Sequence, residues 1–424
     1  MRTGRRLGLM AILSLTALAG CRAVGPGWMP DLPPPNAPKA PPTLPSSAAV
    51  SGLEPALKSL PTLDPNSTDL TTFTPAPTGY LSLSEEVCRK EASSRSSLSG
   101  LLVHENEIPP VSGDSSSASA SALLTEVRFL VAEEARNRAA AQALEQFFQL
   151  ADAEGRAEII RASLPVLDQL RTLVRKARSD GLRLPVDPDE LDRQRGSLLT
   201  LISQADLASR LLDLDLKRRL GVSAKGGERL RPVGPFAVNA DPFNADAAVQ
   251  VALERRADLR MLRAVYLQLT PETLPTARDV VRRAAEIGGL IGPGGLIPTP
   301  PVRTVLYNVA TRNAAEGPSP EVIAEIAVRR QQLFDLIGEQ ERAAADQVRA
   351  AALTLDAQTR QVGLARWRAE QLLAKAEDAK AQGPLVELPA ILEAYRSRAE
   401  VVAAAMAWQQ ARVKLLAAQG GVGE

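Results

Sequence analysis

The stretch that decides the fold runs from Glu321 to Gln382: EVIAEIAVRRQQLFDLIGEQERAAADQVRAAALTLDAQTRQVGLARWRAEQLLAKAEDAKAQ. It holds no proline, while Pro320 and Pro384 stand where a helix would start and stop. Counted in sevens, Phe334, Glu341, Val348, Leu355, Val362, Ala369 and Ala376 form one series. Ile337, Ala344, Ala351, Gln358, Ala365, Leu372 and Ala379 form the companion series. Only Glu341 and Gln358 are polar, and the faces between carry Arg, Glu, Gln and Asp. This is a coiled-coil seam, and it predicts that the Phe334 heptad faces another helix along its whole length. So many alanines call for close approach of the backbones. At 1.5 Å per residue, roughly 62 residues extend about 93 Å, more than a compact domain needs.

Gly383-Pro384 breaks this helix, and a second apolar series follows: Leu385, Leu388, Leu392, Tyr395, Ala399, Val402, Met406, Gln409, Val413 and Leu416. Two long amphipathic helices about a short turn make an antiparallel hairpin. The plan occurs once before. Val127, Leu130, Leu144, Phe147, Phe148, Ile159, Ile160, Leu164, Leu167, Leu170 and Leu173 recur at helical spacing, with a bend expected near Pro165. Gly181 ends that helix, Pro185 and Pro188 mark a turn, and Asp189–Leu220 returns as far as Gly221. Gly181 answers Gly383, and Arg138-Ala-Ala-Ala answers Arg342-Ala-Ala-Ala, at a separation of about 200 residues, the mark of an internal duplication. Leu83–Arg89 and Ala245–Val251 read as short helical openings to the two halves, with Ser84 placed to cap the first. Gly100–Ala122 reads as loop and Val222–Phe243 as a Gly/Pro-rich connector. Asp246–Tyr266 and Thr276–Ile287 read as helices, and Arg303–Ala310 as a candidate strand.

Composition removes several classes of function. The 50 basic and 49 acidic residues nearly cancel, so no polyanion or nucleic-acid partner is expected. One histidine, His104, cannot build a histidine-rich zinc site or a conventional triad. Asp187, Asp189 and Glu190 form a carboxylate cluster, but in a turn opening a helix they read as cap and dipole partners. Arg255-Arg256 and Arg329-Arg330 read as solvated helix faces. Gly292–Gly295 lacks the Lys-Ser/Thr of a phosphate loop. No catalytic, cofactor-binding or metal-ligating residue emerges, and the chain reads as a non-enzyme. Aromatics at 3% are too few for the girdles of a large membrane barrel.

The N-terminus carries its own message. Arg2, Arg5 and Arg6 precede an apolar run, Leu7–Ala17, too short to span a bilayer. Leu18-Ala19-Gly20-Cys21 then resembles the lipobox of bacterial lipoproteins, which implies cleavage before Cys21 and acylation of that cysteine. An ordinary secretory signal containing a cysteine is the alternative. Several acyl chains on one residue anchor stably. Arg22, rather than aspartate, after the cysteine implies the outer membrane. Fourteen prolines between 26 and 77 leave an extended tether.

Acylated start, proline-rich tether and duplicated long hairpins together resemble the TolC-type outer-membrane efflux proteins. Ala252-Leu-Glu-Arg-Arg-Ala-Asp-Leu-Arg260 is similar to the family's second-repeat opening, with Ala257 in place of its proline. Gly181-Leu182 followed by Asp187 and Leu191, and Gly383 followed by Glu387 and Ile391, are similar to its periplasmic tips. Cys21-Arg-Ala-Val-Gly-Pro resembles its lipoprotein start. The resemblance covers about residues 81–420. It implies a homotrimer whose helices form a periplasmic tunnel, and export driven by an inner-membrane pump through an adaptor protein. The adaptor contacts would be Gly181, Leu182, Asp187, Gly383 and Glu387.

One departure bears on function. The family carries a β-hairpin at positions matching residues 100–122 and 288–318, and neither stretch alternates as paired membrane strands must. The expected fold is mainly α: long antiparallel coiled-coil hairpins in two tandem repeats, with little or no β-barrel. Residues 1–21 are the lipoprotein signal and 22–80 the tether. Residues 81–221 and 244–420 are the repeats, joined by 222–243. Two functions stay open: an efflux-type outer-membrane lipoprotein, or a barrel-less, lipid-anchored periplasmic scaffold that binds partners.

Overall fold

A computed structural model describes residues 79–107, 118–181, 186–222, 228–234, 236–239, 243–286 and 318–422. Cys21, the tether before Gly79, Leu182 and the candidate strand Arg303–Ala310 lie outside them. The described elements are β1 (Tyr80–Ser84), α1 (Glu85–Ser94), α2 (Ser97–Glu107), α3 (Ala118–Ser179), α4 (Pro188–Leu220) and β2 (Arg229–Val233) in the first half. The second half holds α5 (Ala245–Arg255), α6 (Ala257–Leu267), α7 (Leu274–Glu286), α8 (Pro320–Lys380) and α9 (Pro384–Ala418). The fold is mainly α, without a barrel among the described residues.

The proline boundaries hold. Pro320, Pro188 and Pro384 each open a helix at its first position, where the missing N–H costs nothing. Gly221, in the left-handed conformation, closes α4. α3 and α4 form one hairpin and α8 and α9 the other, and α9 packs against α3, giving the order α4–α3–α9–α8 across the layer. Alanines line the α8–α9 contact at Ala376, Ala379, Ala390 and Ala394, as close helix approach requires. The largest core sits where β1 and β2 cross α3, around Phe147, Phe148, Phe236, Leu83 and Leu230. This level is the waist. Beyond it, away from the hairpin turns, α6 packs between α3 and α8, and α2 lies on α3.

Several expectations need correction. Leu-Ser-Leu-Ser is the strand β1, paired in parallel with β2 inside the supposed connector, and only then does Ser84 cap α1 through Val87 N. Each strand is short and alternates, but its partner lies far away in sequence. Gly100–Glu107 is helical rather than loop, as part of α2. At Pro165, where a bend is expected, α3 continues as one helix, with Ser163 and Leu167 buried on either side of the proline. Asp246–Tyr266 is two helices, broken at Arg256.

The seam also departs from its predicted course. Val348, Leu355, Val362, Ala369 and Ala376 are buried as expected, but Phe334 is 62% exposed and Leu333 is buried in its place. Here α8 leaves α9 and packs against α6 and α7, with Leu333, Leu336 and Ile337 in a separate core. A 3.6-residue helix drifts about 20° per heptad, so the buried position slips by one residue.

Candidate functional site

The two hairpin turns are the first candidate surface. At the first, Gly181 has φ +81°, a conformation only glycine takes freely, and Asp187 caps α4 by accepting from Asp189 N at 3.2 Å. The surrounding side chains are ionic. Arg195 reaches Asp168 at 2.9 Å, Arg175 reaches Asp192 at 2.6 Å, and Arg178 stands 3.8 Å from Asp187. At the second turn Gly383 has φ +96°, and no charge falls between Lys380 and Glu387. Leu385 and Val386 are exposed there. Leu191 of α4 and Leu388 of α9 share one buried cluster with Leu170 and Val174, so the two turns stand side by side. Gly181, Asp187, Gly383 and Glu387 are thus gathered at one end, with one ionic tip and one apolar tip.

The carboxylates read as a cap behave as one, with Asp187 bonding the helix start and Glu190 pairing with Arg193. Arg256 does not lie on a solvated face. It is buried, forks onto Asp258 at 2.8 and 3.1 Å, and donates to Gln347 Oε1 at 2.9 Å and the Ala418 carbonyl at 3.3 Å. The reason is the break before α6, which turns Arg256 inward beneath the end of α9.

The second candidate surface escaped the reading of the sequence. α4 and α8 are the edges of the layer, and each carries large apolar side chains that no neighbour among the described residues covers. On α4 these are Leu199, Leu207, Leu211 and Leu214; on α8 they are Leu353, Leu364 and Trp367, the last two 59% and 48% exposed. With Ala350 and Ala357, the α8 positions fall at spacings of three, four and seven, a second heptad offset from the first. That spacing was available in the sequence but lay behind the stronger seam. Cross-helix pairs fix the relative heights: Trp408 with Thr359 and Arg368 with Glu400 across α8–α9, Val422 (just past the end of α9) with Asn137 and Leu388 with Leu170 across α9–α3, and Gln146 with Asp215 and Arg195 with Asp168 across α3–α4. Followed across the layer, they set Leu364 and Trp367 level with Leu207 and Leu211 to within about one helical turn.

Solved structures share the fold. The open-state MtrE outer membrane channel of Neisseria gonorrhoeae superposes with a TM-score of 0.51 at 13% identity, over 80% of this chain and 89% of that one. CusC, solved in a study of its folding and transmembrane channel formation, gives 0.50 at 16%, over 80% and 96%. A membrane protein of Pseudomonas aeruginosa gives 0.52 at 16%, over 81% and 92%. Neither a family model nor a curated protein matches the sequence. At such identities the likeness is one of fold.

Proposed function

We propose that the chain is a divergent TolC-type outer-membrane efflux lipoprotein, and that three copies stand edge to edge as the conduit of an export system. The observation that carries this reading is the pair of unlike apolar edges at one height. An edge that meets a different edge makes a heterologous contact, and such contacts close into rings when there is no axial offset. The shared fold with outer-membrane channels supports a role in export. In this reading Cys21 is acylated and holds the protein to the outer membrane, and the tether lets the helical body face the periplasm. The tip residues Gly181, Leu182, Asp187, Gly383 and Glu387 meet a periplasmic adaptor, which joins an inner-membrane pump.

Cysteine cross-linking tests the assembly. Leu207→Cys and Leu364→Cys together should give, on oxidation, dimers and then a closed species of fixed size. Either single variant should give none of these, because the contact is heterologous. Cys88 does not compete: it is buried, and burial, with help from Glu85, pushes its thiol up to about 12. No ladder with the double variant, or equal dimers from a single one, would sink the reading.

One observation favours the scaffold alternative for the membrane end. α2 ends at Glu107 and α3 begins at Ala118, leaving residues 108–117 between them. Two membrane strands of about 9–11 residues each do not fit there. In this alternative the first repeat supplies no barrel hairpin, and attachment to the membrane falls to Cys21.

A further inference from the structure

Away from the edges and the tips, buried charge also gathers at the waist. Asp213 and Lys217 of α4 are both buried, 2.8 Å apart, and they grip β2: Asp213 accepts from Leu230 N at 2.7 Å, and Lys217 donates to the Glu228 carbonyl. β2 sends Arg229 and Arg231 to the other side, where both guanidinium groups lie against the Tyr80 ring of β1, 5.7 and 5.8 Å from its centre. Arg229 also donates to the Tyr80 hydroxyl at 3.3 Å, and Arg231 pairs with Glu158 of α3 at 3.3 Å. One turn before Glu158, Glu154 sits half-buried on α3 among the same groups. The whole assembly secures a pair of five-residue strands, of which β1 is the point where the preceding N-terminal residues enter the body.

We propose that this cluster is a proton-sensitive clasp on the N-terminal strand, closed while Glu154 carries its proton and loosened when Glu154 ionises. The arginines that could receive its charge are already shared with Tyr80 and Glu158. Like charges face it from Glu158 on its own helix and Asp213 on α4; opposite charges face it from Arg229 and Arg231 on β2. α9 contributes the apolar Val402, Ala405 and Met406 to the core here, with the buried Arg398 one turn before Val402. Burial is the largest influence and pushes the Glu154 carboxyl up to about 7, the two arginines opposing and the two carboxylates adding. A carboxyl raised in the folded state contributes stability below its ordinary range, and that stability is lost as pH rises through 7. A five-residue strand pair is the least costly element to open, because lifting it admits water to Glu154 without disturbing the long helices.

Hydrogen exchange on the full-length purified protein reads this directly. Once corrected for intrinsic rates, protection at the amides of Leu81–Leu83 and Arg229–Leu230 should fall about tenfold between pH 6 and 8, if opening restores an ordinary carboxyl. Glu154→Gln, a neutral isostere of the protonated state, should remove that step and stay protected at both pH values. Amides in the α8–α9 seam should show no such step. Wild-type strand protection that is level across this range would overturn the proposal without any variant. So would a step of equal size in Glu154→Gln.

Discussion

Arg256 carries more of the fold than its surroundings in the sequence suggest. Four hydrogen bonds to three partners converge on a side chain only 8% exposed, and they join the start of α6, the middle of α8 and the last turn of α9. Removing one member of a buried pair leaves the other charged and unpaired, at a cost of roughly 3–5 kcal/mol. Arg256→Ala should therefore lower unfolding stability by that order in urea titration. Arg256→Lys should recover only part of it, since an ammonium cannot reproduce the fork. The first half of the chain has a paler counterpart. Arg95 reaches the Gly221 carbonyl at 3.5 Å from an exposed position, so Arg95→Ala should cost under about 1 kcal/mol. Equal losses at the two sites would refute this ranking. The motif around Ala252–Arg260 was legible in the sequence, but the burial of Arg256 was not. It depends on a helix break that no local pattern announces, and on a carbonyl contributed from the far end of the chain.

At the scale of the element, the long helices were readable because proline, glycine and heptad signals agree. The strands were not, because parallel pairing between β1 and β2 unites segments from opposite ends of the first half. The alternation of Arg229-Leu230-Arg231-Pro232, with Leu230 and Pro232 turned inward, was the signal available. Two faces of α8 now make opposite predictions. Val348 is fully buried, and Val348→Asp should cost roughly 3–5 kcal/mol by placing an uncompensated charge in the seam. Leu364→Asp should leave the thermal midpoint of the monomer almost unchanged, yet abolish the Leu207–Leu364 type of assembly in sedimentation or mass measurements. A large stability loss from Leu364→Asp would show that its face is covered within the chain after all.

For the whole molecule, the decisive question is whether it is held to a membrane, and by what. Among the described residues no helix is long and apolar enough to cross one. If acylated Cys21 is the anchor, Cys21→Ser should move the protein from the membrane fraction to the soluble one. Persistence in membranes through carbonate extraction would place the attachment elsewhere and restore the case for a barrel. The difference between the two edges has a genetic consequence as well. In the proposed three-membered ring, a copy spoiled on its α8 edge would still offer a sound α4 edge, so it would join a growing ring and then end it. With equal expression of sound and spoiled copies, only roughly one three-membered ring in eight would contain sound copies alone. Edge mutations should therefore behave as dominant poisons, whereas mutations that merely unfold the chain should be recessive.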